Sequence, residues 1–326
     1  MTNVNARNDS EPAYINFDSA LSLVRDEVDR VLSASPFIIR RYTRHLAASG
    51  GKFIRGISLL TCAQNKNDLI HVNAVKFAAA IEILHLATLV HDDVMDDADS
   101  RRGIPTLQKK YGKKTAVICG DYLLCIALKL VADIPNRQDY LDLNMPDYLM
   151  KICFGELNQH VNSGKFDLSV YQYLKIISGK TATLFEASFH AGAIISGCVS
   201  PEIMKYRRLG RYFGMIFQLI DDCMDFEATE NIAQKPVRSD FEQNVITLPL
   251  IHAFANMHGF KEKAKKDRVA RIDIDAAVLR TGGIAYTRMI AKKYYSKYLK
   301  IIDELDITKN KKSGLISILD MPFRVF

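Results

Sequence analysis

The sequence predicts an all-α chain organised as one domain. Apolar residues recur at spacings of three and four almost from end to end, and no segment shows the period-two alternation of a strand. Gly (17) and Pro (9) are scarce in a chain of 326 residues: together about 8%, where roughly 12% is usual. Hydrophobic residues make up 48% of the chain, enough for a large interior at a length that buries about three-quarters of the unfolded surface. With no composition shift or long linker between halves, the expected organisation is a flexible tail over 1–12 and one domain over 13–326.

The elements follow in order. Leu21, Val24, Val28 and Val31 recur behind Asp18 as candidate N-cap, which predicts a helix ending before Pro36. Further helices are predicted over 37–48, 52–64, 69–97, 114–132, 147–163, 169–197, 202–229, 245–257, 273–279 and 284–304. Short polar connections at 65–67, 134–139 and 162–167 join neighbouring helices.

Composition and motif content exclude several function classes. The six cysteines form no C-x-x-C pair and no Cys/His cluster, so neither a disulfide framework nor a zinc site is suggested. The polar N-terminus lacks the layout of a signal peptide, and the apolar run from Phe77 to Val90 is too short to span a bilayer. The expected location is cytoplasmic, at most peripheral to a membrane, with no integral membrane segment. Ser178-Gly179-Lys180-Thr181 imitates the end of a P-loop, but Leu174 stands where its first glycine belongs. The net charge of +7 and the run Lys261, Lys263, Lys265, Lys266, Arg268 raise nucleic acid as a partner. Glu262 and Asp267 interrupt that run without interleaved aromatics, so a solvated face is expected and no nucleic acid.

Two predicted helices share an unusual ending. IEILHLATLV passes into Asp92-Asp93-Val94-Met95-Asp96, and FGMIFQLI into Asp221-Asp222-Cys223-Met224-Asp225, so both carry D-D-x-x-D. Positions i and i+4 share a helix face, where like charges repel. A hard divalent cation offsets that repulsion, and Mg²⁺ completes its shell with waters and substrate phosphates. One cluster alone reads as a solvated acidic face; two, each at the tail of an apolar helix, point to a metal-bridged phosphate site. An EF-hand is excluded, because Asp97 and Gly103 occupy the positions of the turn glycine and the bidentate Glu. Counting back from Asp92, Leu89, His85 and Glu82 follow helical spacing, which makes a polar stripe on an apolar helix. Cations that could meet a diphosphate are Lys52, Arg55, Arg101, Arg102 and Lys180, each of which alone reads as a surface charge.

With these motifs in view, the chain resembles the trans-type isoprenyl (polyprenyl) diphosphate synthases, of medium or long product length, from about Gly50 to Tyr298. The matching motifs are GGKFIR, HDDVMDDADSRRG, Lys180-Thr181, FQLIDDCMD, Thr247-Leu248-Pro249-Leu250 and Thr281-Gly282-Gly283 through Arg288. The resemblance implies an isoprenoid synthase helical bundle around a central cavity. It implies a Mg²⁺-dependent prenyltransferase that joins isopentenyl diphosphate to an allylic diphosphate of farnesyl or geranyl type, head to tail, with about three ions per loaded site. By the same resemblance Asp92, Asp93, Asp96, Asp221, Asp222 and Asp225 serve the metal, while Arg101, Lys180 and Lys235 contact the allylic diphosphate. Lys52, Arg55, His85 and Arg102 would grip isopentenyl diphosphate, and Thr181 and Gln218 would face the developing cation. Ala87 and Thr88, five and four residues before Asp92, are small where short-chain relatives carry an aromatic gate, which implies an all-trans product of hexa- to octaprenyl length, a quinone side chain. The partner state implied is a homodimer, with a heteromeric synthase or a small regulatory partner chain as the alternative. A class I terpene cyclase is disfavoured by Asp225 and Thr229, where Ser or Thr and then Glu would stand.

Departures from the family pattern are Phe53 for a basic residue, Gly56 for proline, Gln234, Arg238 and Asn244 for glycines, and Val245 for a lysine.

Overall fold

In the computed structural model, residues 14–48, 50–140, 142–231, 245–266 and 269–324 are described. They are overwhelmingly helical, as predicted. The helices are α1 (Phe17–Ser33), α2 (Phe37–Ala47), α3 (Ile54–Ala63), α4 (Asn73–Met95), α5 (Leu107–Tyr111), α6 (Lys113–Ala132), α7 (Met145–Asn162) and α8 (Val170–Ile177). They continue as α9 (Thr183–Ile195), α10 (Ser200–Asn231), α11 (Leu248–Asn256), α12 (Phe260–Lys266), α13 (Arg271–Thr281), α14 (Gly283–Asp303), α15 (Lys309–Leu319) and α16 (Met321–Arg324).

The chain forms two compact units. The first runs to Tyr140 and takes in Ala191–Cys198; the second is the chain between those segments and everything from Val199 onward. In the first unit, α4 buries side chains on several faces, Phe77, Ala78, Ile81, Ile83, Leu84, Ala87 and Val90 among them, as expected of a helix with more than one neighbour. Each large side chain so buried contributes roughly 1.5–3 kcal/mol. Helix α6 is the principal neighbour of α4. A Cβ on Gly120 of α6 would fall 2.3 Å from His91 Nε2, so glycine is what lets the end of α4 approach. By length and apolarity α4 and α6 could each cross a bilayer, and 56% of the α4 window is buried within the protein. In the second unit α10 packs along α14 and against the residues that follow α8.

Three sequence expectations are corrected. The cap of α1 is Asn16, whose Oδ1 accepts from Ser19 N at 2.8 Å, and Asp18 sits inside the first turn; both types cap, but Asn16 has the extended backbone a cap needs. The segment expected to be helical from 69 begins with a two-residue strand, Ile70–His71, that pairs antiparallel with Tyr14–Ile15. The helix expected over 169–197 is interrupted by a π-helical turn at Ser178–Ala182 and ends at Ile195. Helices α5, α12, α15 and α16 add to the expected set. The basic run 261–266 lies on α12, where Lys261 and Lys265 both pair with Asp167, at 2.8 and 2.6 Å.

Candidate active site

In the first unit, α4 carries the polar stripe. Glu82 Oε1 accepts the Gly56 amide at 2.7 Å, so the departure from proline at 56 supplies an N–H that proline lacks. Burial pulls the Arg55 guanidinium down to about 10, against the raising influence of Glu82 and helped by Arg102, so it stays charged at neutral pH. Burial, with Arg102 nearby, also lowers the Lys52 ammonium. His85 lies within the field of Arg55, Arg102 and Arg101; burial first and these charges second hold it well below its ordinary value, as a neutral imidazole. Lys52, Arg55, His85 and Arg102 therefore share one neighbourhood, in which Glu82 is the opposing carboxylate. Mutually repelling cations around a neutral donor form a site for a strongly anionic ligand.

A short hairpin places the two arginines. Ser100–Arg101 pairs with Ile104–Pro105, and Arg102 and Gly103 between them both have positive φ, 50° and 80°, the pattern of a type I′ turn. Arg102 Nη1 donates to Gly50 O. Arg101 Nε donates to Asp93 Oδ1 at 2.8 Å; burial nevertheless pushes the Asp93 carboxyl up, with Asp92 and Asp96 adding to the rise. Asp92 and Asp96 are half-buried. Helix α4 ends at Met95, and Asp96 is its C-cap, its N–H donating to Asp92 O at 2.8 Å. Below them Ala87 is buried, and Thr88 Oγ1 is turned back to His85 O at 2.8 Å.

In the second unit a chain of hydrogen bonds joins four side chains. Thr181 Oγ1 donates to Gln218 Oε1 at 2.6 Å, Gln218 Nε2 donates to Asp222 Oδ1 at 2.8 Å, and Tyr173 OH donates to Asp222 Oδ2. Lys180 lies on the π-helical turn and pairs with Glu156 at 2.9 Å. A Cβ on Gly155 would fall 2.3 Å from Lys180 N, so α7 meets that turn backbone to backbone. Asp221 is pushed up to about 6, by burial and then by Asp225. Arg271 Nη1 lies 3.2 Å from Asp225 Oδ2, its Nη2 donates to Asp225 O at 2.6 Å, and its guanidinium stacks over Phe226 at 5.1 Å.

The structure thus groups Lys52, Arg55, His85, Arg101, Arg102, Asp92, Asp93 and Asp96 within the first unit, and Lys180, Thr181, Gln218, Asp221, Asp222 and Asp225 within the second. Lys235 lies outside the described residues, as do Gln234, Arg238 and Asn244. Sequence reasoning missed Glu156, Tyr173 and Arg271. Among the described residues no three His, Cys, Asp or Glu side chains form a ready metal cage. Pairs of hard oxygen donors, with burial and like charge disfavouring their ionised form, fit a Mg²⁺ that takes one or two carboxylates and completes its shell with phosphate and water.

A chain overwhelmingly helical among its described residues, with an aspartate-rich cluster on each of two long helices and a group of cations beside the first, defines a class of diphosphate-handling helical enzymes. The sequence pattern of the polyprenyl synthetase family matches residues 37–278, and the chain belongs to that family. It is 33% identical over 308 residues to heptaprenyl diphosphate synthase component 2 of Geobacillus stearothermophilus, covering 93% of this chain and 94% of the relative. It is 34% identical over 240 residues to the octaprenyl diphosphate synthase of Escherichia coli, covering 73% and 72%. The crystal structure of heptaprenyl diphosphate synthase from Staphylococcus aureus superposes with a TM-score of 0.84 at 30% identity, over 94% of this chain and 98% of that one. The chain is a prenyltransferase of the isoprenyl diphosphate synthase family, with the all-α isoprenoid synthase fold.

Proposed function

We propose that the chain, acting as one catalytic domain over 13–326, condenses isopentenyl diphosphate with an allylic diphosphate, head to tail, to an all-trans product of hexa- to octaprenyl length. The observation that carries this is the stripe on α4. One core helix presents Glu82 and His85 to a group of cations and, two turns on, the carboxylates of Asp92 and Asp96. Lys52, Arg55 and Arg102 neutralise the isopentenyl diphosphate, and His85, held neutral, donates a hydrogen bond to it. Asp92, Asp93, Asp96, Asp221, Asp222 and Asp225 are the oxygen ligands for Mg²⁺, on the order of three ions with substrate bound. When bound, the metal supplies charge stabilisation for the departing diphosphate.

Arg101, Lys180 and Lys235 neutralise the same leaving group. Heterolysis of the allylic C–O bond sends its electron pair to diphosphate oxygen and leaves an allylic cation. Thr181 and Gln218, held by their mutual hydrogen bond, turn polar oxygen toward that cation, while apolar walls exclude water that would quench it. The isopentenyl double bond attacks, forming the new C–C bond, and the adduct loses a proton to the released diphosphate.

Product length follows from Ala87 and Thr88, whose small side chains leave the tail room to pass along α4, each turn giving roughly 5 Å. The partner state we propose is a homodimer of a cytoplasmic enzyme, at most peripheral to the membrane. Met150, Phe154, Leu157 and Val161 on α7 are 52–64% exposed, at spacings of four, three and four that make a helix-pairing seam.

The test is an assay of the purified single chain with Mg²⁺, radiolabelled isopentenyl diphosphate and farnesyl diphosphate, with products separated by reversed-phase chromatography and mass measured by light scattering. A long-chain ladder from a dimer is expected. Ala87→Phe should shorten the main product and spare the first condensation. A monomer inactive until a second, different chain is added would favour the heteromeric alternative, which the Geobacillus relative, component 2 of a heptaprenyl diphosphate synthase, supports.

A further inference from the structure

Helix α2 presents a surface that the reaction does not use. Among its residues Thr43 is the buried one, fixed through Oγ1 donating to Leu32 O at 2.7 Å and Arg40 O at 3.1 Å. Phe37 and Ile38, 89% and 82% exposed, are the most exposed large hydrophobic side chains among the described residues, and they are adjacent in the first turn. The same helix carries Arg40, Arg41, Arg44 and His45 and no acid.

Positions 37, 41 and 44 share a face, so the apolar tip runs directly into two exposed cations. The Arg41 guanidinium lies 4.6 Å above the Tyr42 ring and 5.8 Å above that of Tyr111 on α5. Those two rings meet edge to face at 4.9 Å. Lys110 of α5 adds a third exposed cation, its Nζ 3.4 Å from His45 Nδ1.

A helix face made for another protein helix carries apolar residues along its whole length, as α7 does. On α2 the strongly exposed ones, Phe37 and Ile38, are confined to the first turn, followed by Arg41, Tyr42 and Arg44. That layering matches the depth profile of a lipid interface, where apolar groups reach the acyl boundary, cations meet phosphates and tyrosines favour the headgroup level. The surplus of positive charge selects an anionic surface.

We propose that α2, with the Lys110–Tyr111 edge of α5, docks the protein onto an anionic phospholipid bilayer. Phe37 and Ile38 enter the acyl boundary, and Arg41, Arg44 and Lys110 meet lipid phosphates. This deepens the peripheral placement proposed above by naming the surface, and its test uses no substrate, so its failure would leave the prenyltransferase reading standing. The consequence is that a product too apolar for water is made beside the phase that dissolves it.

The full chain would be sedimented with extruded vesicles of phosphatidylcholine alone or with roughly one-third phosphatidylglycerol. Binding to the anionic vesicles is expected, weakened by salt, and reduced at least about tenfold in F37S/I38S and in R41E/R44E. Circular dichroism and turnover of short soluble substrates should be unchanged in both variants. No binding to anionic vesicles, or binding that neither variant reduces, overturns the proposal. So does conversion of an oligomer to monomer by F37S/I38S, which would make this face a contact between copies of the chain.

Discussion

The two aspartate-rich clusters, one at the end of α4 and one inside α10, share a sequence pattern and differ in what surrounds them. At the end of α4, Asp93 is the member engaged by a cation: Arg101, delivered by a tight hairpin, holds one of its oxygens. At the corresponding point of α10, Asp222 is engaged by neutral donors, Tyr173 and Gln218, and the cation, Arg271, holds Asp225 one turn later. A carboxylate tied to a nearby arginine is oriented but partly neutralised. One tied to hydroxyl and amide donors is oriented while keeping its full charge for another cation. Each cluster thus has one carboxylate held by an arginine, the second aspartate on α4 and the third on α10, and in the second cluster burial, then Asp225, pushes Asp221 up to about 6. Identical motifs thus make unequal demands on whatever cation binds them.

The largest effect to test that contrast is on turnover. Asp92→Ala and Asp221→Ala should each cut prenyl transfer by roughly 10²-fold or more, measured as radiolabel incorporated per minute, while thermal unfolding of the metal-free protein shows no loss of stability. Retention of most activity by either variant would remove that residue from the metal-binding set.

Next in size is a split between substrates. His85→Gln in the first unit should raise the KM for isopentenyl diphosphate roughly tenfold with little change for the allylic partner, and Lys180→Met in the second should do the reverse. Equal shifts for both substrates would mark His85 as a packing residue.

A smaller effect is expected at Arg271. Arg271→Met keeps an apolar contact with Phe226 but removes the arginine's contacts with Asp225 and Asp275, and should lower kcat several-fold, on the order of 1 kcal/mol in the barrier, with stability measured in parallel. An unchanged kcat would reduce the arginine to a structural strut.

The smallest concerns pH in the absence of metal. The folded protein binds the Asp221 proton more tightly than the unfolded chain does. Stability from this group is therefore complete below about pH 4 and is lost as pH rises through about 6. In EDTA, Asp221→Asn should be more stable than the parent by about 1–2 kcal/mol at pH 7.5, less than the full shift because the side chain keeps some contact with solvent, and the two should converge near pH 4. A constant difference across that range would dissociate Asp221 from the effect.

Much of this was legible in the sequence, for reasons particular to certain residues. The apolar run ahead of Asp92 fixed both the existence of α4 and the stripe from Glu82 to Asp92, because period and polarity agree there. The partners of the carboxylates were not legible: Tyr173 stands 49 residues from Asp222 and Arg271 stands 46 from Asp225, and no local pattern links them. Paired strands of two residues are too short to alternate. Helix α15 does carry a signal that could have found it: Thr308, whose Oγ1 accepts the Lys311 amide at its start.

The π-helical turn at Ser178–Ala182 has a consequence for how the chain tolerates change. A wide turn acts as one inserted residue in an otherwise continuous helix. Before it, Tyr173 reaches α10; after it, Ala182, Phe185 and Phe189 pack against Gly214 and Gly210 of that same helix. The spacing from Tyr173 to Phe185 exceeds by about one residue what an unbroken 3.6-residue period would bring to that face. Removing a single residue from the turn would restore regular geometry and rotate everything downstream by about 100°, swinging Phe185 and Phe189 off α10. Substitutions here are a matter of chemistry, but a one-residue deletion is a change of phase.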